Sequence, residues 1–225
     1  MPRTARIAPG GMLFHVLNRG NARMRIFDDE ADYAAFEKIL SEVLPRASMR
    51  ILAYCLMPNH WHMVLWPEKD GQLAAFMHRL TVTHVRRWHE HRRSTGGGHL
   101  YQGTYKSFPV QTDGHFLAVC RYVERNPLRA RLVKRAEMWR WGSLWRRMHH
   151  KSGDSGLLGD WPVERPRAYL QLVNEPQKPA EQDAIRTCMN RGRPFGAPDW
   201  QLATAVRLGL QSTFRLRGRP RKEEK

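Results

Sequence analysis

Residues 49–67 read MRILAYCLMPNHWHMVLWP. Two apolar, β-rich runs, Met49 to Met57 and His60 to Trp66, flank Pro58-Asn59, and Pro67 ends the second run. This is the pattern of two consecutive strands joined by a turn or bulge. Side chains two apart on a strand share a face, so the imidazoles of His60 and His62 emerge together while Trp61 points the other way, into a core.

Outward from this pair, helical and strand patterns alternate. Met12 to Asn18 reads as a strand followed by the turn-like Arg19-Gly20-Asn21. Asp28 to Leu44 reads as a helix, capped by Asp28 or Asp29, with Ala31, Ala35, Ile39 and Val43 at helical spacing and Pro45 as the stop. Gln72 to His91 is a second helix whose later half turns basic, and Ser94 to Gly98 is a flexible loop. Tyr101 to Val110 holds one or two strands, with Pro109 implying a sheet edge. Asp113 to Asn126 is a third helix, ended by Asn126-Pro127 because proline disfavours helical geometry in the residue before it. The order β-α-β-β-α-β-α predicts an α+β fold, a ferredoxin-like antiparallel sheet with helices on one face. Residues 1–150 form this domain. Residues 151–179, rich in Gly, Pro and Ser at their start, read as a linker or irregular arm. Residues 180–225 read as a basic, partly helical C-terminal extension that binds DNA. Trp139, Trp141 and Trp145 read as core.

Of the 225 residues, 38 are Lys or Arg and 21 are Asp or Glu, a formal charge of +17. That surplus must face water, because an isolated buried ion costs several kcal/mol. Such a surface attracts polyanions, DNA or RNA first. Arginine dominates, and its planar fork suits phosphate. The basic residues cluster from Arg121 to Arg147 and again from Arg186 to Lys222. No apolar run is long enough for a membrane span. The opening MPRTARIAPGGMLF lacks the apolar core of a secretory leader. Cys55, Cys120 and Cys188 form no CxxC pair, which excludes a disulfide framework and a cysteine zinc site. Together these predict a cytoplasmic, nucleoid-associated protein. No GxxxxGK[ST] nucleotide loop is present.

His60 and His62 can share one divalent metal, although an HxH pair alone is a weak signal and a hydrolytic zinc site needs a third ligand. Arg121-Tyr122-Val123-Glu124-Arg125-Asn126-Pro127 is the second element. Tyr122 lies on the third helix, with Asn126 one turn on. A tyrosine can attack a phosphodiester, leaving a phosphotyrosine ester and a free hydroxyl. A free phenol titrates near 10, so ionising it at pH 7 is about 4 kcal/mol uphill. A metal that neutralises and aligns the phosphate offsets much of this. The Asn126 side-chain oxygen is a candidate third ligand; asparagine before proline is equally a helix N-cap. Arg121, Arg125 and Arg129 recur every four residues beside Tyr122 and are candidates for the DNA backbone. Arg86 and Arg87 extend the basic area. Arg193, Arg217, Arg219 and Arg221 sit in two Gly-Arg-Pro elements that resemble minor-groove arms.

PNHWHMVLWP, followed about sixty residues later by CRYVERNPLRARLV, resembles the REP-associated tyrosine transposases of the single-tyrosine HUH superfamily. HVLNRGNARMRIF, YQGTYKSFPVQTD, RGRPFGAPDW and LGLQSTFRLRGRPRK carry the likeness across nearly the whole chain. The resemblance implies that His60 and His62 are the metal-binding pair, that Tyr122 is the nucleophile and that Asn126 is metal-proximal. It implies a single-stranded DNA endonuclease and strand-transferase acting on REP-type hairpins, with Mg²⁺ or Mn²⁺ as cofactor. Tyr122 would become linked to a 5′ phosphate and release a 3′ hydroxyl. Lys106 and His115 are candidates for the phenol proton, and Lys106 also for DNA contact. The protein would act as a monomer or homodimer. Two rival readings keep the fold and drop this chemistry: a domesticated, non-catalytic hairpin-binding regulator, and a metal-dependent hydrolase that uses water.

Overall fold

Strands β1 (Leu13–Arg19), β2 (Met49–Met57), β3 (His60–Pro67) and β4 (Lys106–Val110) form one antiparallel sheet in the order β2-β3-β1-β4. The computed structural model describes residues 7–149 and 156–215. Pro58 and Asn59 make the two-residue β2–β3 turn, since Met57 faces His60. The Pro58 carbonyl accepts from the backbone of Ile26 and Phe27, and that of Asn59 from Gly20. The turn is therefore tied to the chain that follows β1.

Helices α1 (Glu30–Val43) and α2 (Gln72–His91) cover one face of the sheet, over Phe14, Val16, Tyr54, Trp61, Met63 and Leu65. Asp29 caps α1, accepting from the Asp32 N–H at 3.0 Å. The α+β antiparallel sheet is as the sequence predicts, and these two helices share a face. The third helix, α3 (Gly114–Glu124), lies on the opposite face, over Leu13, Leu17, Cys55, Val64 and Phe108. The one-face expectation therefore holds for α1 and α2 and fails for α3. The reason is visible in β2, which is apolar almost without alternation: Ile51 to Met57 is buried throughout. A strand with no polar side needs cover on both faces.

The C-terminal part completes that second layer. It contains α4 (Asn126–Arg129), α5 (Ser143–His149), α6 (Tyr169–Asn174), α7 (Pro179–Arg191) and α8 (Pro198–Arg207). Tyr169, Val173, Ile185, Cys188 and Phe195 join the α3 core, so no break in packing falls at residue 179. Residues 156–167, read from sequence as a loose arm, are docked on β2. Pairing with β3 shifts register between Ile51 and Ala53, and the Leu52 carbonyl accepts from Arg147 at 2.6 Å and Trp161 at 2.8 Å. Gly159 N–H donates to the Ile51 carbonyl. At the other edge, Phe195 bonds the Pro109 carbonyl, and the Gln111 N–H bonds Phe195. Both edges are thus occupied, which removes a template for strand addition. Trp139 and Trp141 pack as core, Trp141 stacked on Tyr33.

Beneath the α2 layer, Trp61 Nε1 donates to Tyr101 Oη at 3.0 Å, and Tyr101 Oη is hydrogen-bonded to His84 Nδ1 at 2.6 Å. Burial pushes His84 down to about 3, so it is neutral at physiological pH. An unfolded histidine titrates near 6.5. Between these values the unfolded chain binds a proton that the native chain excludes, so native stability falls as pH falls from 6.5, by about 1.4 kcal/mol per pH unit for this residue. The thermal midpoint should drop between pH 7 and pH 5, and the drop should shrink in His84→Gln. Thermal melts at the two pH values check this; an equal drop in parent and variant would assign the dependence elsewhere.

Candidate active site

β3 presents His60 and His62 on the α3 face while Trp61 is buried on the other, as strand alternation requires. Their ring centroids lie 5.0 Å apart. α3 runs across the same face and brings Tyr122 in from about sixty residues away. The Tyr122 ring centroid is 5.9 Å from that of His62, edge to face. Two histidines and a phenol, far apart in the chain, thus meet at one end of the sheet.

Each imidazole is held through Nδ1. His60 Nδ1 is 2.6 Å from Asn59 Oδ1, and His62 Nδ1 is 2.9 Å from His15 Nε2 on β1. No protein hydrogen bond engages Nε2 of either ring among the described residues. Burial, with the charges of Arg19 and Arg129 adding to it, pushes His60 down to about 4 and His62 well below its ordinary value. For His62 the neighbouring His60 and His15 add to burial ahead of those arginines. Both are therefore neutral at physiological pH, and a neutral imidazole keeps one nitrogen lone pair to offer a metal. This donor set fits a divalent ion with open coordination positions. Among the described residues there is no group of three or more His, Cys, Asp or Glu side chains arranged to hold a metal.

Tyr122 is only 4% exposed. The guanidinium of Arg129 lies over its ring, 4.1 Å from the centroid, and Arg129 Nη2 donates to Asn126 Oδ1 at 2.8 Å. α3 stops at Glu124, and α4 restarts at Asn126 with no side-chain cap. The Asn126 oxygen is therefore not a helix cap: it accepts from Arg129, one turn on. Asn126 Nδ2 is a donor. Asn126 Nδ2 and Arg129 Nη1 are both buried without a partner. Two orphaned donors beside a phenol suit the oxygens of a phosphate.

The other sequence candidates are dispersed. Arg121 donates to the carbonyls of Glu175 and Pro176, at 2.9 and 3.2 Å. Arg125 donates to those of Val173, at 2.8 Å, and Asn174. Both guanidiniums, only half-buried, clamp the end of α6, because that segment leaves its last carbonyls without helical partners. Arg87 pairs with Glu42 at 2.7 Å. Arg193 lies over Phe214 inside the extension. Arg217, Arg219 and Arg221 lie outside the described residues. His115 is bonded to Asp113 at the start of α3, about two turns and roughly 10 Å from Tyr122, so it is remote from the phenol. Lys106 pairs with Leu17, which pairs with His62, so it shares their row two strands away, bonded to Asn190 at 3.4 Å. Lys106 and Arg19 line a groove of about 310 Å³, and Arg86 lines a larger one of about 780 Å³. Asn18 and residues 102–104 border both. His15 is the functional neighbour that motif reading passes over. Its signal was a lone titratable residue inside the apolar run MLFHVL.

Residues 10–126 match the family described as "Transposase IS200 like". A solved REP-associated tyrosine transposase bound to a REP hairpin superposes with a TM-score of 0.54 at 16% identity, over 73% of this chain and 95% of that one. A candidate transposase from Deinococcus radiodurans gives a TM-score of 0.40 at 20% identity, over 55% of this chain and 96% of that one. No curated protein matches the sequence.

The clamp has a measurable consequence. Arg125→Ala should destabilise the fold by about 1–2 kcal/mol, the value of a charged donor's lost bonds, while lowering the affinity for a DNA hairpin little. Chemical denaturation and a fluorescence binding assay separate the two; a large loss of affinity at unchanged stability would restore Arg125 as a DNA contact.

Proposed function

The chain belongs to the IS200-like transposase family, whose match spans more than half of its length, and on that premise we propose that it is a single-stranded DNA endonuclease and strand-transferase acting on REP-type hairpins. The observation that carries this reading is the convergence of His60, His62 and Tyr122, with the Tyr122 ring 5.9 Å from His62. The solved relative bound to a REP hairpin supports the substrate class. So does the charge of +17.

His60 and His62 would hold a divalent ion, Mg²⁺ or Mn²⁺, which when bound would supply charge neutralisation at the scissile phosphate. Imidazole suits Mn²⁺ better than Mg²⁺. The chain's own residues do the rest. Asn126 Nδ2 and Arg129 Nη1 bond the phosphate oxygens and hold phosphorus over the phenol. Arg129, already against the ring, stabilises negative charge as the phenol gives up its proton. The Tyr122 oxygen forms a bond to phosphorus, the bond to the 3′ oxygen breaks, and that oxygen leaves as a hydroxyl after taking up a proton. The ester conserves the phosphodiester energy, so another 3′ hydroxyl can reverse the step and join strands. Arg19, Lys106 and Arg86, in the two grooves beside the site, steady the strand on either side.

One observation favours the non-catalytic hairpin-binding reading: Arg129 covers the phenol, and substrate must share or displace that cover. A 3′-labelled single-stranded hairpin with Mn²⁺ decides between them. The parent protein should form a covalent adduct that survives denaturation. Tyr122→Phe should lose it by about 10³-fold or more. Arg129→Ala should slow its formation about 10²-fold, the effect of removing one preorganised donor. Tight hairpin binding with no adduct would establish the binder, and cleavage that survives Tyr122→Phe would establish a water nucleophile.

A further inference from the structure

His15 is fully buried in the middle of β1. β1 and β3 pair so that Leu17 faces His62 and His15 faces Val64. His15 and His62 are therefore diagonal neighbours on one face, within reach of each other. The His15 ring is wedged between Phe108, stacked at 4.8 Å, and His62, at 5.1 Å. Its Nε2 meets His62 Nδ1 at 2.9 Å, and its own Nδ1 is buried without a partner.

Two neutral imidazoles joined by one hydrogen bond have two arrangements. In one, His62 carries its proton on Nδ1 and donates to His15, which leaves His62 Nε2 as a bare lone pair. In the other, His15 donates, and the His62 proton moves to Nε2, where it blocks ligation. His60 is settled in the first manner, because its Nδ1 faces Asn59 Oδ1, an atom that can only accept. We propose that His15 is the positioning residue of the metal site: as acceptor for His62 Nδ1–H it selects the tautomer and ring plane that aim His62 Nε2 at the ion. Asn59 and His15 are then the matched outer partners of the two ligands. Such partners commonly set metal affinity by 10–100-fold. The wedge fixes the ring plane, since His15 cannot turn without leaving Phe108. The proposal rests on the reading of His60 and His62 as metal ligands.

The test begins with Mn²⁺ titration of the full chain, read by the loss of the free-ion electron paramagnetic resonance signal. His15→Phe keeps ring shape and removes the acceptor; it should weaken Mn²⁺ binding about 10–100-fold while leaving the circular dichroism spectrum and metal-free hairpin binding unchanged. His15→Gln restores an acceptor and should recover part of the affinity. ¹⁵N-histidine spectra of the parent protein with Mg²⁺, which require no variant, should show the His62 proton on Nδ1 and none on Nε2. Unchanged Mn²⁺ affinity in folded His15→Phe, or a metal-loaded parent with the His62 proton on Nε2, would overturn the proposal alone. A parent that binds no Mn²⁺ overturns the metal reading, and this proposal with it. A missing Tyr122 adduct with intact metal binding counts against the nuclease reading only.

Discussion

Burial of Trp61 is the constraint on which the site depends. Its side chain is wholly enclosed, packed edge-on against Tyr101 and bonded to it through Nε1. Turning it outward would expose one of the largest apolar surfaces in the chain and strand the Tyr101–His84 pair. Strand periodicity is 2, so a one-residue slip of β3 would do this and would send both histidines into the α1–α2 layer. Packing on one face of the sheet thus fixes chemistry on the other. The short turn at Pro58 and Asn59 reinforces the register, because its carbonyls are bonded to residues that follow β1.

A sheet covered on both faces places its reactive groups in a second core instead of on a platform. His62, Tyr122, Asn126 and His15 are all buried. Polar groups in that setting are held by one another: His15 to His62, Arg129 to Asn126, and Glu124 to Ser143 and Tyr169. Leaving a buried donor unpaired costs about 1–3 kcal/mol. Against that cost, the unpaired nitrogens of Asn126 and Arg129 stand out. Glu124 differs: burial raises its carboxyl, and two hydroxyls satisfy it, which makes it a fastener between α3, α5 and α6.

Most of the fold was legible in local pattern. The helix from Gln72 to His91 matches α2 end to end, and the β2–β3 pair is bounded by the prolines and Asn59 that suggested it. The convergence of the histidine pair on Tyr122 was legible only through motif resemblance, since nothing local says that α3 crosses to the β3 histidines. Three things were hidden for a common reason. The placement of α3, the anchoring of residues 156–167 and the capture of Arg121 and Arg125 by α6 carbonyls all depend on long-range packing. Arginines every four residues look alike whether they meet phosphate or a helix end. Asn126 illustrates the same limit: its partner Arg129 is three residues on, yet the choice between cap, ligand and clamp was made by the break in the helix at Arg125.

The charge around the site bears on the order in which it fills. Burial, with Arg19 and Arg129 adding to it, holds His60 and His62 neutral, and among the described residues no group of three or more His, Cys, Asp or Glu is arranged to hold a cation. A dication approaching alone meets two neutral nitrogens against two positive guanidiniums, an arrangement that favours weak binding. A phosphodiester reverses the balance. On the proposed function, its negative charge would satisfy Arg129 and Asn126 and shield an ion from the guanidiniums, so that each ligand would improve the site for the other. Linkage makes that benefit equal in both directions, with the ion tightening DNA as much as DNA tightens the ion. On that reading, the negative charge that a centre of arginine and neutral histidine lacks would come with the substrate itself.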